Sequence, residues 1–234
     1  MDEKPLVSTG KPQTKPLEML KALIALGGKG VSLGRLEDLL WPDAEGDKAH
    51  QALITTLHRL RKSIGSKQVV KLSHSRMSLN GRYCWLDVWA FENLCSNADR
   101  ITAKISADTD AVSGMADTLL QLYRGDFLKN EYDLSWAIPL REKLRTKFVH
   151  ALNLFAKGLE KQGNHERAID LYIRGLETDE IAEELYQGLM VCYQRLGRKS
   201  EGLSTYERCR ETLSSVLGSP PSPKTESIRL TLQQ

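Results

Sequence analysis

Apolar residues recur at helical spacing through the first 65 positions and again from residue 87 onward, with a short interval of strand-like alternation between them. The first helical stretch is KPLEMLKALIALGG, Lys15 to Gly28. Pro16 suits a first turn, Leu17, Leu20 and Leu23 (or Ile24) form the expected buried side, and Gly27–Gly28 ends the helix. The second stretch, VSLGRLEDLLWPD, offers Ser32 as N-cap and points Leu36, Leu39 and Leu40 inward. Pro42 stops it just after Trp41. The third, KAHQALITTLHRLRKSIG, runs from Lys48 to Gly65. Drawn at about 100° per residue, Leu53, Leu57, Leu60 and Ile64 share one narrow stripe. The opposite face collects Lys48, Gln51, Thr55, His58, Arg59 and Lys62. Arg61 falls beside the leucine stripe. It is expected to pair with Glu37 or Asp38 of the second helix, because buried arginines are almost always paired.

After Gly65 the period shortens. VVKL and RMSL are short strand candidates around SHS, which makes a hairpin, and YCWLDV after the NGR turn signal is a third strand candidate. Three packed helices followed by a basic hairpin describe a winged helix-turn-helix. From DVWAFENL onward the pattern is helical only, with segments expected at 87–97, 108–123, 134–162, 164–177, 181–196, 198–216 and 223–232. Within them Leu159 and Tyr193, Gly163 and Gly197, Ala168 and Gly202, and Tyr172 and Tyr206 each match at the roughly 34-residue period of a tetratricopeptide repeat. The glycines at 163 and 197 fall at turns. Ala168 and Gly202 mark close helix approaches, and the two tyrosines are expected to fill the gaps as packing residues. Only two units are visible, so the helices of 87–162 are needed to complete the stack.

The expected fold class is therefore mainly α: a winged helix-turn-helix with a small β-hairpin wing, followed by an all-α tetratricopeptide-like domain. Residues 1–14 read as a flexible lead-in or a single strand, 15–86 as the winged helix and 87–234 as the helical domain. A hydrophobic content of 41% and a charged content of 27% suit a soluble globular chain. No stretch is apolar enough for a membrane span, and the N-terminus lacks the apolar core of a secretory signal. Cys84, Cys95, Cys192 and Cys209 are scattered and form no CxxC pair, which points to a reducing cytoplasm.

Charge changes the picture once it is divided along the chain. The formal net charge is only +3. Yet residues 48–86 carry Lys48, Arg59, Arg61, Lys62, Lys67, Lys71, Arg76 and Arg82 and no acid at all, while the flanks are mildly acidic. Charge of one sign concentrated this way is the footprint of a polyanion site. No catalytic constellation competes with it. GGKG at 27–30 lacks the spacing that wraps phosphates and reads as a helix C-cap. His50, His58, His74, His150 and His165 show no metal-binding spacing, and neither metal nor cofactor is expected. Cys192 and Cys209 occupy apolar repeat positions and read as core thiols, and Asp87 reads as an N-cap. The chain is expected not to be an enzyme.

VSLGRLEDLLWPDAEGDKAHQALITTLHRLRKSIG resembles the DNA-binding half of bacterial transcriptional activators with a response-regulator-type winged helix. YCWLDVWAFENL, LYRGDFL and WAIPLREKLRTKF resemble the opening of the bacterial transcriptional activator domain, and the repeats through SPPSPKTESIRL resemble its end. The pair of domains is similar to the antibiotic regulatory protein family over roughly residues 15–232. By that likeness the third helix is the recognition helix, with His58 and Arg59 at the DNA, Thr55 near base edges and Arg76 in the wing. The helical domain would serve self-association or contact with RNA polymerase. Winged helices of this type open with a four-stranded sheet, whereas about 15 residues precede the first helix here. The chain is accordingly read as the C-terminal part of a larger regulator or as a shortened form.

The resulting expectation is a regulator of transcription, an activator in outcome, that binds double-stranded DNA as a homodimer. Gln51, Thr55 and Arg59 would meet base edges, Lys48, His58, Lys62 and Lys67 phosphates, and Arg76 the minor groove or its edge. The alternative is a tetratricopeptide-type scaffold whose basic front end binds RNA or an acidic protein. Residues 48–68 hold no aromatic residue for base stacking, which disfavours RNA.

Overall fold

A computed structural model describes residues 14–104, 109–131 and 133–234. The expected lead-in, residues 1–14, lies outside them except for Thr14, which opens the first helix, and so does the expected helix start at residue 108. The chain divides into two compact units. One comprises the chain up to Leu86 together with Phe127–Arg141, and the other Asp87–Asp126 together with Glu142–Gln234. The fold is mainly helical with one small antiparallel sheet.

In the first unit, helices α1 (Thr14–Ala25), α2 (Leu33–Leu40) and α3 (Gly46–Ile64) pack on one another, and strands β1 (Val31–Ser32), β2 (Val70–Ser73) and β3 (Arg76–Leu79) form a sheet in the order β1-β3-β2. Ser32 caps α2 as expected, its hydroxyl accepting from the Arg35 amide at 3.3 Å. The glycine pair also does what its position implies: Gly28 N–H donates to Leu23 O at 2.8 Å and Gly27 N–H to Ile24 O at 2.8 Å. The core sits on Met19, Ala22 and Leu23 of α1, Leu33, Leu36 and Leu40 of α2, and Leu53, Leu57 and Leu60 of α3.

Several expectations need correction. On α1, Leu17 is exposed and Leu20 half-buried, and the buried side is Pro16, Met19, Ala22 and Leu23. This helix is apolar on more than one side, so periodicity alone could not choose the stripe that faces α2 and α3. Leu39 and Ile64 are only half-buried. The segment YCWLDV is not a strand. Asn80 O accepts from the Tyr83 and Cys84 amides at 2.9 and 3.1 Å, curling the chain into turns before α4 begins at Asp87. The third strand is instead Val31–Ser32, paired with Met77 and Arg76 of β3. Two residues carry no readable alternation.

The SHS hairpin is real. Ser73 opposes Arg76 across a two-residue turn in which His74 and Ser75 both have positive φ, 48° and 56°. That is the handedness a two-residue hairpin demands, met here without glycine.

The remaining helices are α4 (Asp87–Lys104), α5 (Thr109–Leu122), α6 (Ile138–Lys161), α7 (His165–Thr178), α8 (Glu183–Arg195), α9 (Lys199–Leu217) and α10 (Pro223–Gln233), and all of them lie in the second unit except the first turn of α6, up to Arg141, which falls in the first. One 3-10 turn, Ser135–Ala137, precedes α6. Phe91, Tyr123 and Phe148 join α4, the end of α5 and α6, with Tyr123 stacked on Phe148 at 4.1 Å between ring centroids. The repeat is built as its spacing implies. Gly163 and Gly197 turn the chain with φ of 78° and 74°. Tyr172 is fully buried, its ring lies against Gly188 and its hydroxyl donates to Glu160. Gly202 lies against Leu232 of α10, and Tyr206 donates to Glu226. Burial pushes the thiols of Cys192 and Cys209 up to about 12, as suits core residues. Among the described residues no helix is long and apolar enough to cross a membrane.

A methyl group on Gly188 would sit 2.2 Å from Cζ of Tyr172, a ring that is fully buried. Gly188→Ala should therefore cost about 1–3 kcal/mol through overpacking, read as a lowered urea midpoint with an unchanged slope.

Candidate nucleic-acid interface

The interface is built on α3. Asp47 stands in its first turn and Arg61 and Lys62 in its last, each favourable to the helix dipole, and Gly65 closes it in the left-handed conformation with φ 78°. Leu53, Leu57 and Leu60 are 0–2% exposed, so the rotation of the helix is fixed and the polar face must point outward. Gln51, Thr55, His58, Arg59 and Lys62 are all exposed.

The helix stands between two concavities. One, of about 480 Å³, is lined by Lys15, Trp41, Lys48, Gln51, Ala52, Thr55, Thr56 and Arg59. The other, of about 490 Å³, lies between α3 and the hairpin and is lined by Ile54, Leu57, His58, Arg61, Lys62, Gly65, Ser66, Lys67 and Leu72. Among the described residues no carboxylate lines either one. Seven of the eight expected site residues thus fall on two flanks of one ridge: Lys48, Gln51, Thr55 and Arg59 on one side, His58, Lys62 and Lys67 on the other.

Arg76 stands apart. It is exposed, and its Nη1 donates to Gly30 O at 2.8 Å, tying β3 to the loop before β1. Lys48 is exposed and lies 2.8 Å from Glu45, a solvent-screened pair worth little. Lys62, Lys67 and Arg59 have no acidic partner among the described residues. Lys15 is the residue that sequence reasoning missed. It stands in the first turn of α1, donates to Leu40 O at 3.0 Å, pairs with Glu18 at 3.1 Å and lies over the Trp41 ring at 5.7 Å, which brings a third basic side chain, beside Lys48 and Arg59, to the first concavity. Its position, far from the basic block in sequence, gave no signal.

Arg61 corrects the sequence reading most directly. It makes no ion pair with Glu37 or Asp38. Its Nε and Nη2 both donate to Val70 O, at 3.1 and 2.7 Å. Glu37 takes His50 instead, at 2.8 Å. β2 is the edge of the sheet, so the Val70 carbonyl has no strand on its outer side and needs a donor. The guanidinium supplies two and couples the wing to α3.

Residues 86–233 match the family of the bacterial transcriptional activator domain. The chain belongs to that family. The activator domain accounts for the second unit and its helices. The whole chain is similar to two regulators. The regulatory protein AfsR of Streptomyces griseus is 27% identical over 228 residues, covering 96% of this chain and 22% of AfsR. The regulatory protein DnrI of Streptomyces peucetius is 23% identical over 228 residues, covering 92% of this chain and 82% of DnrI. In fold it is similar to Mycobacterium tuberculosis EmbR, solved with a low-affinity phosphopeptide, at a TM-score of 0.79 and 21% identity, covering 97% of this chain and 60% of that one. The chain therefore spans only part of AfsR and of EmbR. These likenesses agree with the resemblance to activators of the antibiotic regulatory type.

Arg61→Leu should leave the Val70 carbonyl without its donors and cost about 1–3 kcal/mol. Urea unfolding would show the loss, and an unchanged midpoint would mean that the guanidinium contact contributes nothing to stability.

Proposed function

We propose that this activator-domain protein is a sequence-specific, double-stranded DNA-binding regulator of transcription, and an activator in outcome. The observation that carries the reading is the ridge of α3 between two cation-bearing concavities that no carboxylate lines among the described residues. A B-DNA major groove is about 12 Å wide and admits one helix, with a phosphate strand along each wall. A ridge in the groove and a concavity for each wall match that shape. Gln51, Thr55 and Arg59 are assigned to base edges. Lys48, His58, Lys62 and Lys67 are assigned to phosphates, and Lys15 joins them. Arg76 reaches the edge of the minor groove only by giving up Gly30 O. In this reading 15–86 is the DNA-binding domain and 87–234 the activator domain, working in the cytoplasm without catalysis, metal or cofactor.

A single winged helix covers few base pairs, so two copies on a doubled site are needed for specificity. The helical unit is assigned to pairing them and to meeting RNA polymerase. The AfsR and DnrI likenesses, both to regulatory proteins, support the reading.

Arg59→Ala should weaken binding to a selected operator by about 1–3 kcal/mol and relax its sequence preference, whereas Lys62→Ala should weaken all duplexes alike and flatten the salt dependence. Anisotropy titrations against operator duplex, random duplex, single-stranded DNA and structured RNA would measure both. Operator affinity and preference untouched by Arg59→Ala would remove the groove assignment, and tighter binding to RNA than to any duplex would favour a scaffold. Sedimentation with the operator should show two protomers per duplex. A single protomer at saturation would rule out the paired arrangement.

A further inference from the structure

The concavity between α3 and the hairpin has a composition that phosphate binding does not explain. Its floor is apolar: Leu57 is 2% exposed, Ile54 is half-buried, and Leu72 on β2 is 38% exposed. Its basic side chains are His58, Arg61, Lys62 and Lys67. The two kinds of side chain are segregated along the helix. Ile54, His58 and Lys62 form one row at four-residue spacing and Leu57 and Arg61 another, so each row begins apolar and ends basic. Lys67 adds a charge just beyond the helix end. Arg61 is spent on Val70 O through two nitrogens, yet among the described residues no carboxylate neutralises it and none lines the cavity. Phosphates in a DNA wall would use the basic end and leave Ile54 and Leu72 facing polar surroundings.

We propose that this cavity is a binding site for a small amphipathic anion: an apolar body seated on Ile54, Leu57 and Leu72, and one carboxylate at Lys62 and Lys67. A volume of about 490 Å³ lies in the range of small-molecule sites. Covering Leu72 removes apolar surface from water, which supplies the driving force, and the cations fix the orientation. The ligand occupies the flank of α3 assigned above to one phosphate strand. Bound ligand and bound DNA therefore exclude each other, a consequence that rests on the DNA-binding reading, while ligand binding itself does not.

Dodecanoate, kept well below its micelle concentration, is a suitable probe, titrated calorimetrically into the full chain without DNA. We expect saturable one-to-one binding. Dodecyltrimethylammonium, with the same tail and a cationic head, and acetate, with the head alone, should each bind at least tenfold more weakly. Leu72→Gln, a change on an exposed edge-strand position, should weaken dodecanoate at least tenfold while leaving duplex affinity within twofold of the parent. Lys62→Ala with Lys67→Ala should weaken dodecanoate and leave dodecyltrimethylammonium no weaker. Absence of saturation, equal binding of both head groups, or indifference to Leu72→Gln in a variant with an unchanged circular dichroism spectrum would overturn the site. Duplex titrations at saturating dodecanoate should show at least a tenfold loss for the parent and none for Leu72→Gln; an equal duplex affinity with ligand bound would overturn the exclusion. A chain that binds dodecanoate as described but no duplex at all would sink the regulator reading and leave the site standing.

Discussion

Burial of three leucines on α3 is the constraint from which the rest of the first unit follows. Leu53, Leu57 and Leu60 are almost wholly removed from water against α1 and α2. Each fully buried leucine contributes about 1.5–3 kcal/mol, so the helix cannot rotate to present another side. Everything on the far side of that stripe is delivered to the surface as a set. The side chains there need no mutual interaction to be held together, because the helix and its hidden face hold them. A polar surface can in this way carry a run of cations that repel one another, with the repulsion offset by packing elsewhere.

The wing is joined to this helix by chemistry rather than by packing alone. Edge strands expose carbonyls, and Val70 on β2 is such a case. Arg61 answers it with two donors from the helix that carries the polar face. One arginine thus ties together the helix and the strand that flank the concavity beside α3. The hairpin tip is set independently by left-handed His74 and Ser75 and by Leu33 N–H donating to Ser75 O at 3.0 Å, which ties the turn to the start of α2. The helix-turn-helix and the wing are therefore one rigid frame, and segment Phe127–Arg141 is part of the same unit: Arg141 donates to Phe127 O, Leu128 O and Glu131 O, and Lys21 of α1 pairs with Glu131.

The second unit rests on a different device, small residues opposite large ones. Gly188 admits the Tyr172 ring, Gly175 admits Leu185 and Gly202 admits Leu232. The last helix is clasped by a buried polar group as well. Thr225 is fully buried, accepts from Gln187 at 2.9 Å and donates to Glu183 at 2.5 Å. Partial burial of Glu183 opposes its charge, but the bonds from Thr225 and Ser222 outweigh it and hold the carboxyl below its ordinary range. A carboxylate depressed in the folded state stabilises above its unfolded pKa, and that contribution fades as pH falls through the folded value.

Periodicity by itself determined the three-helix head, the hairpin, the exposed face of α3 and the helical segments of the second half, because each depends on side chains within a few turns of one another. The 34-residue repeat was legible for the same reason: glycine turns and close-packed tyrosines recur in sequence before they meet in space. What only the tertiary structure decided were choices between near-equal local options. Leu17 and Met19 are equally apolar, and the neighbours of α1 select Met19. A two-residue strand at Val31 exists only because β3 lies beside it. Arg61 has acids one helix away and a bare carbonyl on the sheet edge, and the edge, needing a donor that no strand supplies, takes it. Lys15 joins the polar face across 33 residues of chain from Lys48 because the start of α1 lies beside Trp41. Long-range proximity is set by how apolar faces pack against one another, and no local spacing records it.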